Sequence, residues 1–239
     1  MGVDISVVVP AYNEQARLPR SLGSLRHARL YLADTMPATT CEILVVDNAS
    51  TDATGATAAE FGAIVVGERR RGVAIARNAG GRRAAGALLA FVDADYRVPL
   101  DFLTTLVQRF ATDPELTAAG TRVVLEPDEI DPVRRLCAAH ALDTLRKVKS
   151  MAFGVFVLRR AWFDRCGGFD ENLFAYEDVE LLRRLCRDHA ARYRVLPDLK
   201  VYASARGFYR GRMLRTYWRM ALSPQARTRF DRCGYWYDR

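Results

Sequence analysis

The chain has 239 residues, half of them apolar, and a net charge of +8. That suffices for one sizeable globular domain, and no apolar run reaches the roughly 18 residues that a membrane-spanning helix needs. The charge is uneven: residues 206–239 hold nine arginines against two acids, which leaves residues 1–205 near neutral and excludes a uniformly basic nucleic-acid binder.

Five cysteines (Cys41, Cys137, Cys166, Cys186 and Cys233) are scattered and contain no Cys-x-x-Cys. This argues against a disulfide framework or a zinc site, and for a reducing, cytoplasmic setting. The N-terminus has no basic region followed by a long apolar core, so no signal peptide is expected.

Ile5 to Val9 is an apolar, β-branched run that reads as a buried strand ended by Pro10. After the loop Ala11-Tyr12-Asn13-Glu14, leucines 18, 22, 25 and 32 mark a helix to about Tyr31. Ile43 to Val46 is a second strand that stops at Asp47. Asn48-Ala49-Ser50-Thr51-Asp52 supplies turn and capping chemistry for a helix to about Phe61. Ala63 to Val66 reads as a third strand. Arg69-Arg70-Arg71-Gly72 is a turn before a small-residue helix from about Val73 to Ala85. Leu88 to Val92 is the fourth strand.

Strands alternating with helices predict right-handed βαβ units and a mostly parallel sheet, and continuous apolar strands predict helices on both faces. The pattern changes beyond Pro99. Helices are expected at about 101–110, 132–149, 160–166 and 177–188, and strands at about 118–125, 153–158 and 193–196.

Polar residues follow three of these strands, where an open α/β sheet binds its ligands. Phe91-Val92-Asp93-Ala94-Asp95 places two carboxylates one residue apart. Alternation along a strand would turn both to one side, and hard oxygen ligands suit Mn²⁺ or Mg²⁺ shared with phosphates. A turn is the plainer explanation of Asp-x-Asp taken alone. The dinucleotide fingerprint, the Walker A sequence and the Gly-x-Ser-x-Gly elbow are all absent.

Four motifs stand in fixed order: Val9-Pro10-Ala11-Tyr12-Asn13-Glu14; Val45-Val46-Asp47-Asn48-Ala49-Ser50-Thr51-Asp52; Phe91-Val92-Asp93-Ala94-Asp95; and Gly167-Gly168-Phe169-Asp170-Glu171 followed by Glu177-Asp178. Arg71-Gly72 and Ala76-Arg77-Asn78-Ala79-Gly80 lie between the second and third. Together they closely resemble the family 2 glycosyltransferases over about residues 4–205. The resemblance implies a single GT-A-like α/β domain at residues 1–205. Its nucleotide-binding half would be about 1–99 and its acceptor half about 100–205, with a basic aromatic helical tail at 206–239.

The resemblance implies a metal-assisted transfer, with inversion, from a nucleotide-diphosphate sugar (a UDP-sugar by preference) to an acceptor hydroxyl. Pro10, Ala11, Tyr12 and Glu14 would line the nucleoside, with Tyr12 stacked on the base. Asp47 would accept a base N–H, unless it caps the next helix. Arg71 and Arg77 would approach the base or diphosphate, unless they belong to a solvated turn. Asp93 and Ala94 would border the ribose, and Asp95 with Asp93 would hold Mn²⁺ or Mg²⁺. Asp178 would be the general base beside Glu177, in a place where acids also suit a helix N-terminus. Gly168 and Phe169 would shape the acceptor pocket, or simply make a turn that needs positive φ. No histidine follows His189 to serve as a late metal ligand, and Arg206 would hold the diphosphate instead. A retaining transferase on the same fold and an inert nucleotide-sugar-binding scaffold are the alternatives. The acceptor is open: a glycan, a lipid-linked or a small-molecule acceptor.

In the tail, Met213-Leu214, Tyr217-Trp218 and Ala221-Leu222 recur at helical spacing beside Arg212, Arg215 and Arg219. This pattern suits peripheral contact with an anionic membrane, or packing over the acceptor side of the domain.

Overall fold

The computed structural model describes residues 4–126, 154–173 and 176–204. The expected helix at 132–149, Arg206 and the tail at 206–239 lie outside the described residues.

The N-terminal half alternates as expected. Strand β1 (Ile5–Ala11) is followed by α1 (Leu18–Thr35), β2 (Cys41–Asp47), α2 (Thr54–Glu60), β3 (Ile64–Gly67), α3 (Val73–Arg83) and β4 (Leu88–Phe91). The rest comprises β5 (Tyr96–Arg97), α4 (Phe102–Thr112), β6 (Leu116–Leu125), β7 (Phe156–Arg159), α5 (Arg160–Cys166), α6 (Glu177–Arg187) and β8 (Arg192–Ala203). All the strands join one sheet in the order β3-β2-β1-β4-β7-β6-β8-β5. Pairs β1–β2, β1–β4, β2–β3 and β6–β8 are parallel; β7 runs antiparallel to both β4 and β6, and β5 to β8.

Helices cover both faces, and the alternation of β1 shows why. Ile5, Val7 and Val9 pack with Leu18, Leu22, Leu25 and Leu32 of α1 and with Phe102 and Leu106 of α4. Val8 points the other way and packs with Ala74 and Ala76 of α3, Phe163 of α5, and Leu181, Leu182 and Leu185 of α6. Each fully buried Leu or Phe contributes roughly 1.5–3 kcal/mol relative to exposure. The small residues of α3 let its backbone sit close to the sheet. A Cβ at Gly80 would overlap Val8 Cγ1 and lie 2.8 Å from Val46 Cγ2.

Two expectations need correction. Pro10 does not end β1: Pro10 and Ala11 stay in register with Val46 and Asp47 of β2. Carbonyls on β1 alternate between its two neighbours, since Val8 O accepts from Val92 and Ala11 O from Asn48. Pro10 therefore faces the β4 side, where the ladder stops at Val8–Phe91, and its missing N–H leaves no ladder bond unmade. The third strand forms as expected, and β3 is the sheet edge, with Ile64 37% and Val65 41% exposed. The last strand runs on to Ala203 through Pro197, and its register against β6 shifts between Thr121 and Arg122, which carries it past the proline.

Two glycines in helices differ in their surroundings. Gly80→Ala inserts a methyl into a filled space and is expected to cost about 1–3 kcal/mol. Gly23→Ala, where a Cβ meets nothing within 4 Å, is expected to stabilise α1 by up to about 1 kcal/mol. Urea unfolding of the two variants against the parent checks both signs.

Candidate active site

The loops after β1 and β2 are sewn together by their turn residues. Asn13 N–H donates to Ser50 Oγ (3.1 Å), and Thr51 N–H donates to Asn13 Oδ1 (2.8 Å). Glu14 N–H donates to Thr54 Oγ1 (2.9 Å), and Gln15 N–H to Asp52 Oδ2 (3.2 Å). The polar run after Asp47 thus positions the Pro10–Glu14 loop as well as starting α2. Among the described residues, the non-glycine residues with a left-handed backbone are Asn13 (φ 51°), Ala49 (φ 59°) and Tyr176 (φ 61°). All lie in the motif loops, in a conformation that costs free energy and that only a well-braced loop retains.

Asp47 closes β2 and accepts the Ser50 N–H at 3.1 Å, which makes a turn and not a cap of α2, whose N-cap Ala53 carries no side-chain bond. The next residue, Asn48, is fully buried. It donates to Glu68 O (3.3 Å) and Arg70 O (2.7 Å) and accepts from Gly72 N–H (2.9 Å). That clamp sets the 68–72 loop over the β1 end, where the Arg71 guanidinium lies 5.1 Å from the centroid of the buried Tyr12 ring. Glu14 is buried, 3.8 Å from Arg17.

Strand β4 stops at Phe91, so alternation does not carry Asp93 and Asp95 to one side. The chain turns there, with Tyr96 N–H on Asp93 O (3.0 Å). Asp93 accepts from Arg77 Nη2 at 2.9 Å. Asp95 lines a polar cavity of about 190 Å³ with Arg20, Arg97 and Glu126. Ala94, between them, is buried.

Arg77 is the hub on the Asp93 side. Its Nη1 bonds Glu177, its Nη2 bonds Asp93, and its guanidinium stands 5.6 Å from the Phe169 ring centroid. Burial opposes its charge, but Glu177, Asp93 and Asp178 outweigh that and hold it protonated. Arg71 and Arg77 therefore occupy different places, one against Tyr12 and the other buried among carboxylates.

Asp178, in the first turn of α6, is half-buried. Burial first, and then the charge of Glu177, push its carboxyl up to about 7, against the pull of Arg77 and the Val179 N–H at 2.8 Å.

The Gly167–Glu171 turn is fixed from two helices. Gly167 (φ 71°) and Gly168 (φ 75°) both need the left-handed region, and a Cβ at Gly168 would overlap Asn78 Oδ1. Buried Asn78 accepts from Phe169 N–H (2.8 Å) and donates to Phe169 O (2.8 Å). Arg184 of α6 donates to Gly168 O (2.7 Å). Glu171 joins Asn78 (3.1 Å) to Arg70 (2.9 Å), so the turn also reaches the 68–72 loop.

The sequence motifs thus meet at the carboxyl ends of β1, β2 and β4 and the start of α6. Asn48, Asn78, Glu126 and Glu171 were not singled out from sequence. The first two and Glu171 stood inside quoted motifs as polar residues with no assigned bond, whereas nothing marked Glu126.

A family model described as glycosyl transferase family 2 matches residues 6–168. The chain is 28% identical over 228 residues to a pre-mycofactocin glycosyltransferase of Mycobacterium tuberculosis, covering 87% of this chain and 46% of that protein. It thus spans about half the length of that relative. Among solved structures it resembles the mannosyltransferase PcManGT of Pyrobaculum calidifontis, in complex with GDP-Man and Mn²⁺ (24% identity, TM-score 0.66, covering 90% of this chain and 61% of that one). It also resembles the S. aureus protein TarS in complex with UDP (19% identity, TM-score 0.64, covering 91% and 66%). These two likenesses concern the fold. The family match spans more than half of the chain and includes the loops after β1, β2 and β4. The chain belongs to glycosyltransferase family 2.

Proposed function

We propose that this chain moves a sugar from a nucleoside-diphosphate donor to an acceptor hydroxyl with inversion, with Asp178 as general base. The observation that carries this reading is Asp178 itself. It is a carboxyl raised to about 7, at a helix start that Arg77 joins to the end of β4. Such a group is about half ionised at neutral pH and basic enough, as the carboxylate, to take an alcohol proton as the nucleophile attacks.

In this reading the acceptor oxygen forms its bond to the anomeric carbon while the bond from that carbon to the diphosphate oxygen breaks. The acceptor proton passes to Asp178, and the electron pair leaves with the nucleoside diphosphate. Residues about 1–99 handle the donor and about 100–205 the acceptor. Tyr12, Arg71 and Asp47 border the base and Gly168 the acceptor; the Phe169 ring is buried against Phe91, Phe156 and Phe163 and supports that turn from the core. UDP is the preferred donor nucleotide. The structural relatives include proteins with UDP and with GDP-Man, so the base is tested below and not assumed.

A divalent cation fits as one shared with substrate. Among the described residues no group of three or more His, Cys, Asp or Glu could hold a metal ion, but Asp95 lines a polar cavity at the β4 end. Asp95, with Asp93 near it in the same turn, would hold the ion, and diphosphate oxygens and water would complete its coordination. Bound there, Mn²⁺ or Mg²⁺ would stabilise charge on the departing diphosphate. Among the described residues no helix is long and apolar enough to cross a membrane.

The first test is thermal stability with Mn²⁺ plus UDP or GDP. Ligand at about 100 times its Kd adds about 2.7 kcal/mol to the folded state, and Asp95→Ala is expected to lose that gain. No rise with either nucleotide in the parent would refute the donor class.

Nucleoside-diphosphate release from UDP-sugars and GDP-mannose tests the base. Asp178→Asn is expected to lower kcat by about 10²–10⁴-fold with the donor KM little changed. The base works as a carboxylate, so in the parent kcat/KM should fall by about tenfold per pH unit below about pH 7 and level off above it. A flat profile from pH 5 to 8, or full activity of Asp178→Asn, would remove Asp178 from the role. The anomeric configuration of the product by NMR separates inversion from retention.

A further inference from the structure

We propose that Arg122 and Lys200 form an oxyanion site on the sheet face that packs against α6, and that it holds a phosphate or carboxylate group carried by the acceptor. The inference rests on the transferase reading above for the place of the attacking hydroxyl, and adds residues that none of the sequence motifs contains.

Alternation on two neighbouring strands brings the two cations together. Along β6, Ala119, Val123 and Leu125 pack into the core shared with α1 and α4, so Arg122 lies on the opposite face, the one that continues from Ala118. Along β8, Leu199, Val201 and Ala203 belong to the same core as Ala119, so Lys200 lies on the opposite face too. Arg122 and Lys200 are direct partners in the β6–β8 ladder. Two like charges side by side on one face of a sheet repel, and an anion between them relieves that repulsion.

No carboxylate of the described residues does so. Neither side chain makes an ion pair with one. Glu126 is held by Arg20 and Arg97, and Asp93 and Glu177 by Arg77. Asp198, two residues before Lys200, approaches Arg109 of α4 instead (4.0 Å). Arg122 Nε supplies an independent observation: it is buried and has no hydrogen-bond partner. Buried donors are normally paired, and guanidinium N–H groups fit the oxygens of a phosphate or a carboxylate. Lys200 is exposed, so the pair is reached from solvent.

Position selects the acceptor. Gly120 pairs with Phe156 of β7, and Phe156 with Phe91 of β4. Two residues nearer the ligand end of each strand stand Arg122, Gly154 and Asp93. Asp93 is bonded by Arg77, which also holds Glu177 beside Asp178. Gly154 puts no side chain between Asp93 and Arg122. Strands β4 and β6 are two strand spacings apart, about 10 Å. An acceptor whose hydroxyl meets Asp178 therefore reaches Arg122 and Lys200 with a group only a few bonds away. Asp95, proposed above for the donor's cation, lines a cavity against α1, and neither Arg122 nor Lys200 borders it.

Calorimetric binding of glycerol phosphate, lactate and glycerol tests the site, in the parent, Arg122→Gln and Lys200→Gln. Each titration is run with saturating UDP and Mg²⁺ and again without them, since the nucleotide keeps the phosphate probe out of the donor site. Lys200 is exposed, so Lys200→Gln is expected to keep the parent fold; a thermal melt checks both variants. Glycerol phosphate, lactate or both are expected to bind the parent, and glycerol is not. Affinity is expected to fall roughly tenfold in Arg122→Gln and roughly threefold or more in Lys200→Gln, with that for UDP unchanged. Binding of one anion alone supports the site and identifies the acceptor's group. No binding of either anion, equal affinity for glycerol, binding that UDP abolishes, or undiminished binding in both variants would overturn the site and leave the donor reading standing. Failure of UDP to bind the parent would overturn the donor reading, and the nucleotide-free titrations then decide the site by the same criteria.

Discussion

A buried guanidinium joins the two halves of the site. Arg77 reaches Asp93 from one side and Glu177 from the other, and so ties the end of β4 to the start of α6. Removing one partner of such a pair leaves an uncompensated buried charge, which typically costs about 3–5 kcal/mol. Here the cost would fall on carboxylates crowded beside Asp178. The guanidinium also sets how far Asp178 departs from an ordinary aspartate, because its charge opposes the desolvation and the Glu177 repulsion that raise the carboxyl. Position and proton affinity of the candidate base therefore share one cause.

Around this hub the loops are braced mainly by neutral amide groups. Asn48 and Asn78 each offer both ends of the side chain to backbone atoms of a distant loop. A buried Asn can satisfy an N–H and a C=O together, which a carboxylate cannot do. The two asparagines hold the 68–72 loop and the Gly167–Glu171 turn, and Arg70 with Glu171 connects them at the surface. Half-exposed ion pairs contribute little on their own, so the rigidity comes from the buried amides.

Much of the fold was legible in sequence, because apolar runs of four to seven residues separated by helical spacing leave few topologies for β1 to β4. What was missed has specific causes. A two-residue strand such as β5 has no period to detect. Pro197 and Asp198 interrupt β8 in sequence, and only the register shift against β6 carries the strand past them. The edge position of Ile64 to Val66 was not legible, because apolar composition does not distinguish a central strand from an edge. In the site, Asp47, Asp93, Asp95, Glu177 and Asp178 were marked by their place after strands or at a helix start. Their partners were not, since the bond from Arg77 to Glu177 and the clamp of Asn78 on Phe169 depend on how α3, α5 and α6 pack over the sheet.

The strand order turns back between β1 and β4, the place where an open α/β sheet parts to admit a ligand. Pro10 stands at the mouth of that parting, on the side that faces β4. An ordinary residue there would present an N–H, and the neighbouring backbone would gain by closing over it. Proline offers nothing to close on. The β1–β4 ladder, which ends at Val8–Phe91, therefore cannot be extended by a donor from Pro10.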